Sequence, residues 1–308
     1  MLGYKSLDLP QSQWNRINKL SQEKILLSKD SPEIEKHLST ADALLVKLGA
    51  TVDKVMIDKA PNLKYIGMLG TGYGRIDTKY AAKKGIAVCN IAGYSTEGVA
   101  ELAFGLLFEH IRDIARAKSQ AQKGDYSEST FQGYEIKGKN FGVIGLGRIG
   151  RKIAEIAKNG FKAETSYWSK NRKKAYEQQG ISYKEISVLL KESDFLSLNL
   201  AFTPQTKYFL NKNRIQQIKP GAVVINLAPM ELVEIWALIK RLKKKDITFI
   251  LDHSDELSEE DARKLSQYEN CIMYPPIGYI TREATQSKLQ MFVDNLENFL
   301  KGKPTNKV

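Results

Sequence analysis

An apolar run of strand length, Phe141-Gly142-Val143-Ile144, leads directly into Gly145-Leu146-Gly147-Arg148-Ile149-Gly150, and an amphipathic helical stretch follows from Arg148 to Lys158. Strand, Gly-x-Gly-x-x-Gly turn and helix in that order make the phosphate-binding corner of a dinucleotide fold. The glycines alone are weak evidence, because glycine is common; the flanking elements make the motif specific. In such a corner the first glycine permits a tight turn, and the second lets backbone N–H groups approach a pyrophosphate. The third lets the helix lie close to the strand, and the helix N-terminus adds partial positive charge for the phosphates. Gly145, Gly147, Arg148, Ile149 and Gly150 are therefore expected to bind a nucleotide.

Apolar runs of strand length alternate with helical patterns along the rest of the chain, which predicts parallel β-α-β units. Ahead of the turn they are Ala43–Val46, Tyr65–Leu69 and Ile86–Cys89, with a short helix Thr78–Lys84 closed by Gly85. Beyond it they are Thr165–Trp168, Phe195–Leu198, Ala222–Ile225, Thr248–Leu251 and Cys271–Met273. A single long helix is predicted from Thr96 to Lys118, buried along Val99, Leu102, Ala103, Leu106, Leu107, His110, Ile111 and Ile114, and serving as a connector between units. A last helix, Arg282–Leu300, follows Pro275-Pro276 and is expected to cross back to the first unit. With 308 residues the chain exceeds what one core usually sustains. The predicted class is α/β, with two doubly wound parallel-sheet (Rossmann-like) domains and a cleft between them. One domain is discontinuous, residues 1–96 plus 276–308, and the dinucleotide-binding domain spans 97–275.

Cofactor choice depends on the end of the second strand of that domain. An NAD site places an acidic residue there to accept from the ribose 2′-hydroxyl. This sequence has Ser169, Lys170, Asn171 and Arg172 instead. A carboxylate would repel a 2′-phosphate, whereas a hydroxyl, an amide and two cations would bind it, so NADP(H) is expected over NAD(H).

The formal net charge of +12 raises the question of nucleic acid. Its lysines and arginines are spread along the chain, and no helix-turn-helix, zinc-finger or RNA-binding signature accompanies them, so no nucleic-acid partner is expected. Two cysteines, Cys89 and Cys271, offer neither metal spacing nor a disulfide framework, and no metal is expected. No apolar run approaches the roughly 20 residues that span a bilayer, and Met1–Lys5 lacks a signal peptide's apolar stretch. A cytoplasmic protein without a membrane partner is the expectation.

The order of motifs resembles the D-isomer-specific 2-hydroxyacid dehydrogenases over nearly the whole length. Gly70-Thr71-Gly72-Tyr73-Gly74-Arg75-Ile76-Asp77 looks like that family's substrate-domain loop, and Tyr94–Glu101 like its segment entering the long helix. Lys219–Asn226 matches the stretch before its catalytic arginine. The resemblance implies three working side chains: an arginine for the substrate carboxylate, a histidine as general acid/base, and a glutamate beside the histidine. At those positions this sequence carries Pro229, Pro276 and Leu257, respectively, with Glu256 next to the last. Proline has neither a side-chain donor nor an N–H, so reduction of an ordinary 2-oxo acid is not expected. The cofactor side is retained. Asp252 stands where the family sets an aspartate against the nicotinamide carboxamide, Thr203-Pro204-Gln205-Thr206 resembles the loop beside the nicotinamide ribose, and Asn226 with Ala228 keeps the adjacent turn.

Two functions are compatible with this pattern. One is an NADP(H)-dependent oxidoreductase reducing a non-standard acceptor: an enone, an imine or a larger carbonyl. Its replacement proton donors would come from His253, Glu231, Glu256, Tyr279 and Tyr134. Of these, His253 is the sharpest, because it follows Asp252 at the C-terminal end of a strand, where α/β folds bind ligands. The other is a non-catalytic dinucleotide-binding sensor or scaffold, whose site survives because bound cofactor stabilises the fold. The positive charge suits a carrier-bound small-molecule substrate, and the long apolar helix suits a homodimer.

Overall fold

A computed structural model of the chain describes residues 1–47 and 50–308. The chain forms two compact units, Met1–Tyr94 with Thr281–Val308, and Ser95–Ile280.

In the first unit β1 (Ala43–Lys47), β2 (Tyr65–Leu69) and β3 (Ala87–Cys89) form a parallel sheet in chain order. Leu2 makes parallel bridges to both Leu27 and Val46, so the spatial order is Leu27, Leu2, β1, β2, β3. The winding thus reverses at Leu2, giving the 2-1-3-4-5 order of a doubly wound sheet. Single bridges carry no periodicity, and sequence patterning passes over them. The helix Arg282–Leu300 starts at Thr281, whose hydroxyl accepts from the Ala284 N–H. It buries Phe292, Val293 and Leu296 with Trp14, Ile17, Leu45 and Tyr65 of the same unit.

The second unit holds β4 (Asn140–Ile144), β5 (Glu164–Trp168), β6 (Ser182–Tyr183), β7 (Phe195–Leu198), β8 (Val223–Asn226), β9 (Thr248–Leu251) and β10 (Cys271–Met273). They form one parallel sheet in the order β10-β9-β8-β7-β4-β5-β6. Counted from β4, this is the 3-2-1-4-5-6 winding of dinucleotide-binding sheets with one strand added, and its direction reverses between β4 and β7. The inner strands are apolar on both faces because both are covered. Alternation then assigns each side chain to a layer. Phe141, Val143, Ile225 and Ile250 enter one core, whereas Ile144, Leu196, Leu198, Val224, Phe249 and Leu251 enter the other.

Two helices differ from expectation. The predicted Thr96–Lys118 helix is two helices, Thr96–Ile111 and Ile114–Gln122, broken where Asp113 takes a left-handed backbone with φ of 50°. The apolar stripe ends at the break: Ile111 is buried and Ile114 is 48% exposed. Val99, Ala103, Phe104, Leu106 and Leu107 pack inside the second unit's own core, so the face expected to serve a dimer is already covered. The helix opened by the glycine turn runs as α-helix over Arg148–Glu155 and then loosens into a π-turn over Ile156–Gly160. The two-residue strand β6 has no counterpart in the sequence pattern.

Candidate functional site

The glycine turn sits at the C-terminal end of β4, beside the reversal of the sheet. Gly145 has φ of +95°, and a Cβ there would lie 2.7 Å from the Asn199 carbonyl oxygen. A Cβ on Gly150 would lie 2.0 Å from the carbonyl oxygen of Gly145, so only glycine lets the helix approach the turn. Gly147 is the opposite case: no atom lies within 4 Å of the place its Cβ would take. The turn is therefore packed on its inner side and open on its outer side, where the first N–H groups of Arg148–Glu155 have no side-chain cap. Arg148 is exposed and Ile149 half-buried at this opening. An open helix N-terminus bordered by a bare glycine fits a pyrophosphate.

At the end of β5 the four expected residues divide. The Ser169 hydroxyl is buried and donates to the Asn171 carbonyl at 2.7 Å, shaping the loop. Lys170 and Asn171 are exposed. Arg172 is held by Glu177: its Nε lies 2.8 and 3.0 Å from the two carboxylate oxygens, and its Nη2 lies 2.5 Å from one of them. Sequence reasoning missed Glu177, whose spacing of five residues from Arg172 fits no helical pairing rule. Thr203 and Thr206 also bond each other. The Thr203 N–H donates to the Thr206 hydroxyl at 2.7 Å, and the Thr206 N–H donates back to Thr203 Oγ1 at 3.2 Å, fixing the turn.

Beyond β8, the fully buried Asn226 accepts from the Ala228 N–H at 3.1 Å and tightens the turn that ends in Pro229. Pro229 precedes a short helical turn, Met230–Leu232, and the Met230 N–H donates to Glu256 Oε2 at 2.8 Å. A backbone N–H thus ties this loop to the loop after β9.

The loop after β9 brings together Asp252, His253 and Glu256. His253 Nε2 lies 3.6 Å from Asp252 Oδ1, and His253 Nδ1 lies 3.5 Å from Glu256 Oε1. The imidazole thus stands between two carboxyl groups, with its side chain 22% exposed. Asp252 is buried; its Oδ2 accepts from the Gly278 N–H at 3.2 Å, whereas its Oδ1 has no hydrogen-bond partner. Burial pushes the Asp252 carboxyl above the usual carboxylate range, opposed by the His253 charge and the Gly278 N–H. Burial likewise raises Glu256, opposed by the Met230 N–H and by His253, and supported by repulsion from Glu231 and Asp255. A buried acceptor without a partner is costly to a fold, so Asp252 Oδ1 fits a donor brought by a ligand such as a carboxamide.

The remaining candidates stand apart. Leu257 packs its side chain on the core beneath the loop, so Glu256 is the carboxylate that faces His253. Pro276 is half-buried, and Tyr279 and Tyr134 are exposed. Among the described residues no cluster of His, Cys, Asp and Glu suits a metal ion, and no helix is long and apolar enough to cross a membrane.

Residues 104–278 match the sequence profile described as D-isomer specific 2-hydroxyacid dehydrogenase, NAD binding domain. The chain is 36% identical to a glyoxylate reductase of Thermococcus litoralis over 279 residues, covering 87% of this chain and 83% of that protein. It is 33% identical to a D-3-phosphoglycerate dehydrogenase of Methanocaldococcus jannaschii, covering 88% of this chain and 52% of the relative. Among solved structures, an acyclic imino acid reductase in complex with NADPH and D-Arg superposes with a TM-score of 0.85 at 30% identity, covering 100% of this chain and 99% of the other. The D-lactate dehydrogenase of Aquifex aeolicus, complexed with NAD and lactic acid, gives 0.83 at 26% identity, covering 98% and 95%.

Proposed function

The chain belongs to the D-isomer-specific 2-hydroxyacid dehydrogenase family, and on that premise we propose that it is an NADP(H)-dependent oxidoreductase reducing an imine rather than a simple 2-oxo acid. The observation that carries this reading is the replacement around His253. The positions that would hold a substrate carboxylate and its proton donor carry Pro229 and Pro276. In their place His253 is set among carboxyl groups, with Asp252 and Glu256 beside it and Asp255 and Glu231 close to Glu256. Such surroundings disfavour the net negative charge of a 2-oxo acid and favour an acceptor whose reacting atom becomes cationic, as an imine nitrogen does on protonation, offsetting any carboxylate the acceptor carries. The NADPH-bound imino acid reductase among the structural neighbours supports the same choice.

Each residue has a definite task in this reading. Gly147 and the N–H groups of the following helix would hold the pyrophosphate, and Lys170, Asn171 and Arg172 would face the 2′-phosphate on the loop that Ser169 shapes. The Thr203–Thr206 turn and Ala228 border the nicotinamide ribose, and Asp252 Oδ1 accepts from the carboxamide. Bound there, the nicotinamide supplies the hydride. His253 delivers the proton that the imine nitrogen takes up, and Glu256, anchored on the Met230 N–H, orients the imidazole through Nδ1. The unit Ser95–Ile280 acts as the dinucleotide domain, and Met1–Tyr94 with Thr281–Val308 as the substrate domain, bounds that shift the sequence-based division at 96/97 and 275/276 by a few residues.

Titration of nucleotide-free protein with NADPH and NADH is the first test, followed by NADPH oxidation in the presence of a 2-oxo acid with and without an amine. Oxidation that requires the amine is expected. A 2-oxo acid reduced equally well alone would overturn the acceptor assignment, and failure of both cofactors to bind would overturn the whole reading. Tight NADPH binding with no acceptor active would favour a non-catalytic dinucleotide-binding protein, the function to which the two prolines otherwise point.

A further inference from the structure

The arginine expected to meet a 2′-phosphate already has an anion. Arg172 presents its Nε and Nη2 to both oxygens of Glu177 at 2.5–3.0 Å, the same planar fork that would receive a phosphate. Glu177 is itself anchored: its Oε1 accepts from the Tyr167 hydroxyl at 3.0 Å, and that hydroxyl accepts from the Lys173 N–H at 2.6 Å. The Tyr183 ring lies 5.2 Å from the guanidinium and keeps it in place. Glu177 is only 20% exposed, against 58% for Arg172, so the carboxylate is the better-held partner. The Arg172 contact keeps the Glu177 carboxyl below the usual range, and it is ionised at neutral pH.

We infer that Glu177 is a cofactor-selectivity residue, competing with the 2′-phosphate of NADPH for the Arg172 guanidinium; this rests on the reading of residues 169–172 as the 2′-phosphate side. Two anions cannot both take the fork. NADPH therefore binds either by displacing a carboxylate that Tyr167 retains, or by relying on Lys170 and the unengaged Nη1 of Arg172. NADH has a hydroxyl at that place and meets no such competition. Glu177 thus narrows the preference for NADPH that the neighbouring cations create, and it acts through Arg172 rather than on the ribose.

The test is calorimetric titration of the full nucleotide-free chain with NADPH and NADH, comparing wild type, Glu177→Gln, Arg172→Met and the double variant. Glu177→Gln is expected to bind NADPH about fivefold more tightly at low salt, with NADH unchanged. That gain should shrink as ionic strength rises, and it should vanish once Arg172 is methionine. Tyr167→Phe, which removes an anchor but keeps the carboxylate, should give a smaller gain of the same sign. Unchanged or weaker NADPH binding in Glu177→Gln would overturn the inference, as would an equal gain for NADH. The cofactor reading is judged separately by wild type alone. Wild type binding NADH as tightly as NADPH would defeat that reading, while a selective gain in Glu177→Gln would still establish the competition.

Discussion

The turn after β4 and the loops after β8 and β9 lie at the same edge of one sheet, yet they are held by different means. At the turn, each glycine has a geometric reason to persist. Gly145 and Gly150 are locked by contacts of 2.7 and 2.0 Å that any side chain would violate, and Gly147 opens on space. At the other two loops side-chain acceptors hold backbone N–H groups and fix the path of the chain. Asn226 holds the turn, the Met230 N–H ties it to the next loop, Pro229 stands at the bend, and Leu257 packs beneath. A phosphate site made of backbone N–H groups is constrained by packing, and residue changes there disturb the fold. An acceptor site made of side-chain tips can be exchanged with little cost to stability.

Substitutions at the two regions should therefore behave differently. The largest effect is expected for His253→Asn, which removes the proton donor from the acceptor side. Turnover with the active acceptor should fall by about 10²–10⁴-fold while NADPH affinity stays constant. A loss below threefold in steady-state kinetics would remove His253 from the mechanism.

Gly150→Ala should strike the other region and do so through the fold. Its methyl would meet the Gly145 carbonyl, and overpacking of this kind costs about 1–3 kcal/mol. Urea unfolding should show that loss together with failure to bind either dinucleotide. An alanine variant of wild-type stability would mean that the turn is not held as tightly as the comparison requires.

Asp252→Asn separates structure from function at the joint between the two regions. Burial raises the Asp252 carboxyl above its unfolded value, so the folded chain binds the extra proton in the pH window between the two. The stability contributed by this group is complete below the unfolded value and is lost as pH rises through the folded one. Asparagine has no such loss. The variant should therefore gain on wild type as pH rises above the unfolded carboxylate value, while its turnover drops. Parallel stability curves for the two proteins would show that the carboxylate is not strained by its surroundings.

The smallest effect is expected at the exposed end of the cofactor side. Lys170→Met should weaken NADPH about three- to fivefold at low salt, less at high salt, and leave NADH unchanged. Equal weakening of both cofactors would argue that Lys170 meets the diphosphate rather than the 2′-phosphate.

Local pattern was sufficient to identify much of this protein. Strand β4, the glycine turn and the helix after it were legible because a strand of period two, a turn of glycines and a helix of period 3.6 each leave a signal within a few residues. The final helix Arg282–Leu300 was bounded correctly from its pattern, and the structure adds that Thr281 caps its start. Pro229, Leu257 and Pro276 were legible from the order of residues alone. Tertiary structure alone decided the partners. Nothing in the residue order says that Glu177 reaches across to Arg172, that Glu256 and not Leu257 faces His253, or that Asp252 Oδ1 is left without a donor. It also decided where a helix stops, because the break at Asp113 depends on the core having ended at Ile111. Periodicity reports which face of an element is buried; which polar atoms meet there depends on loop conformations that bring residues together without any repeat to announce them.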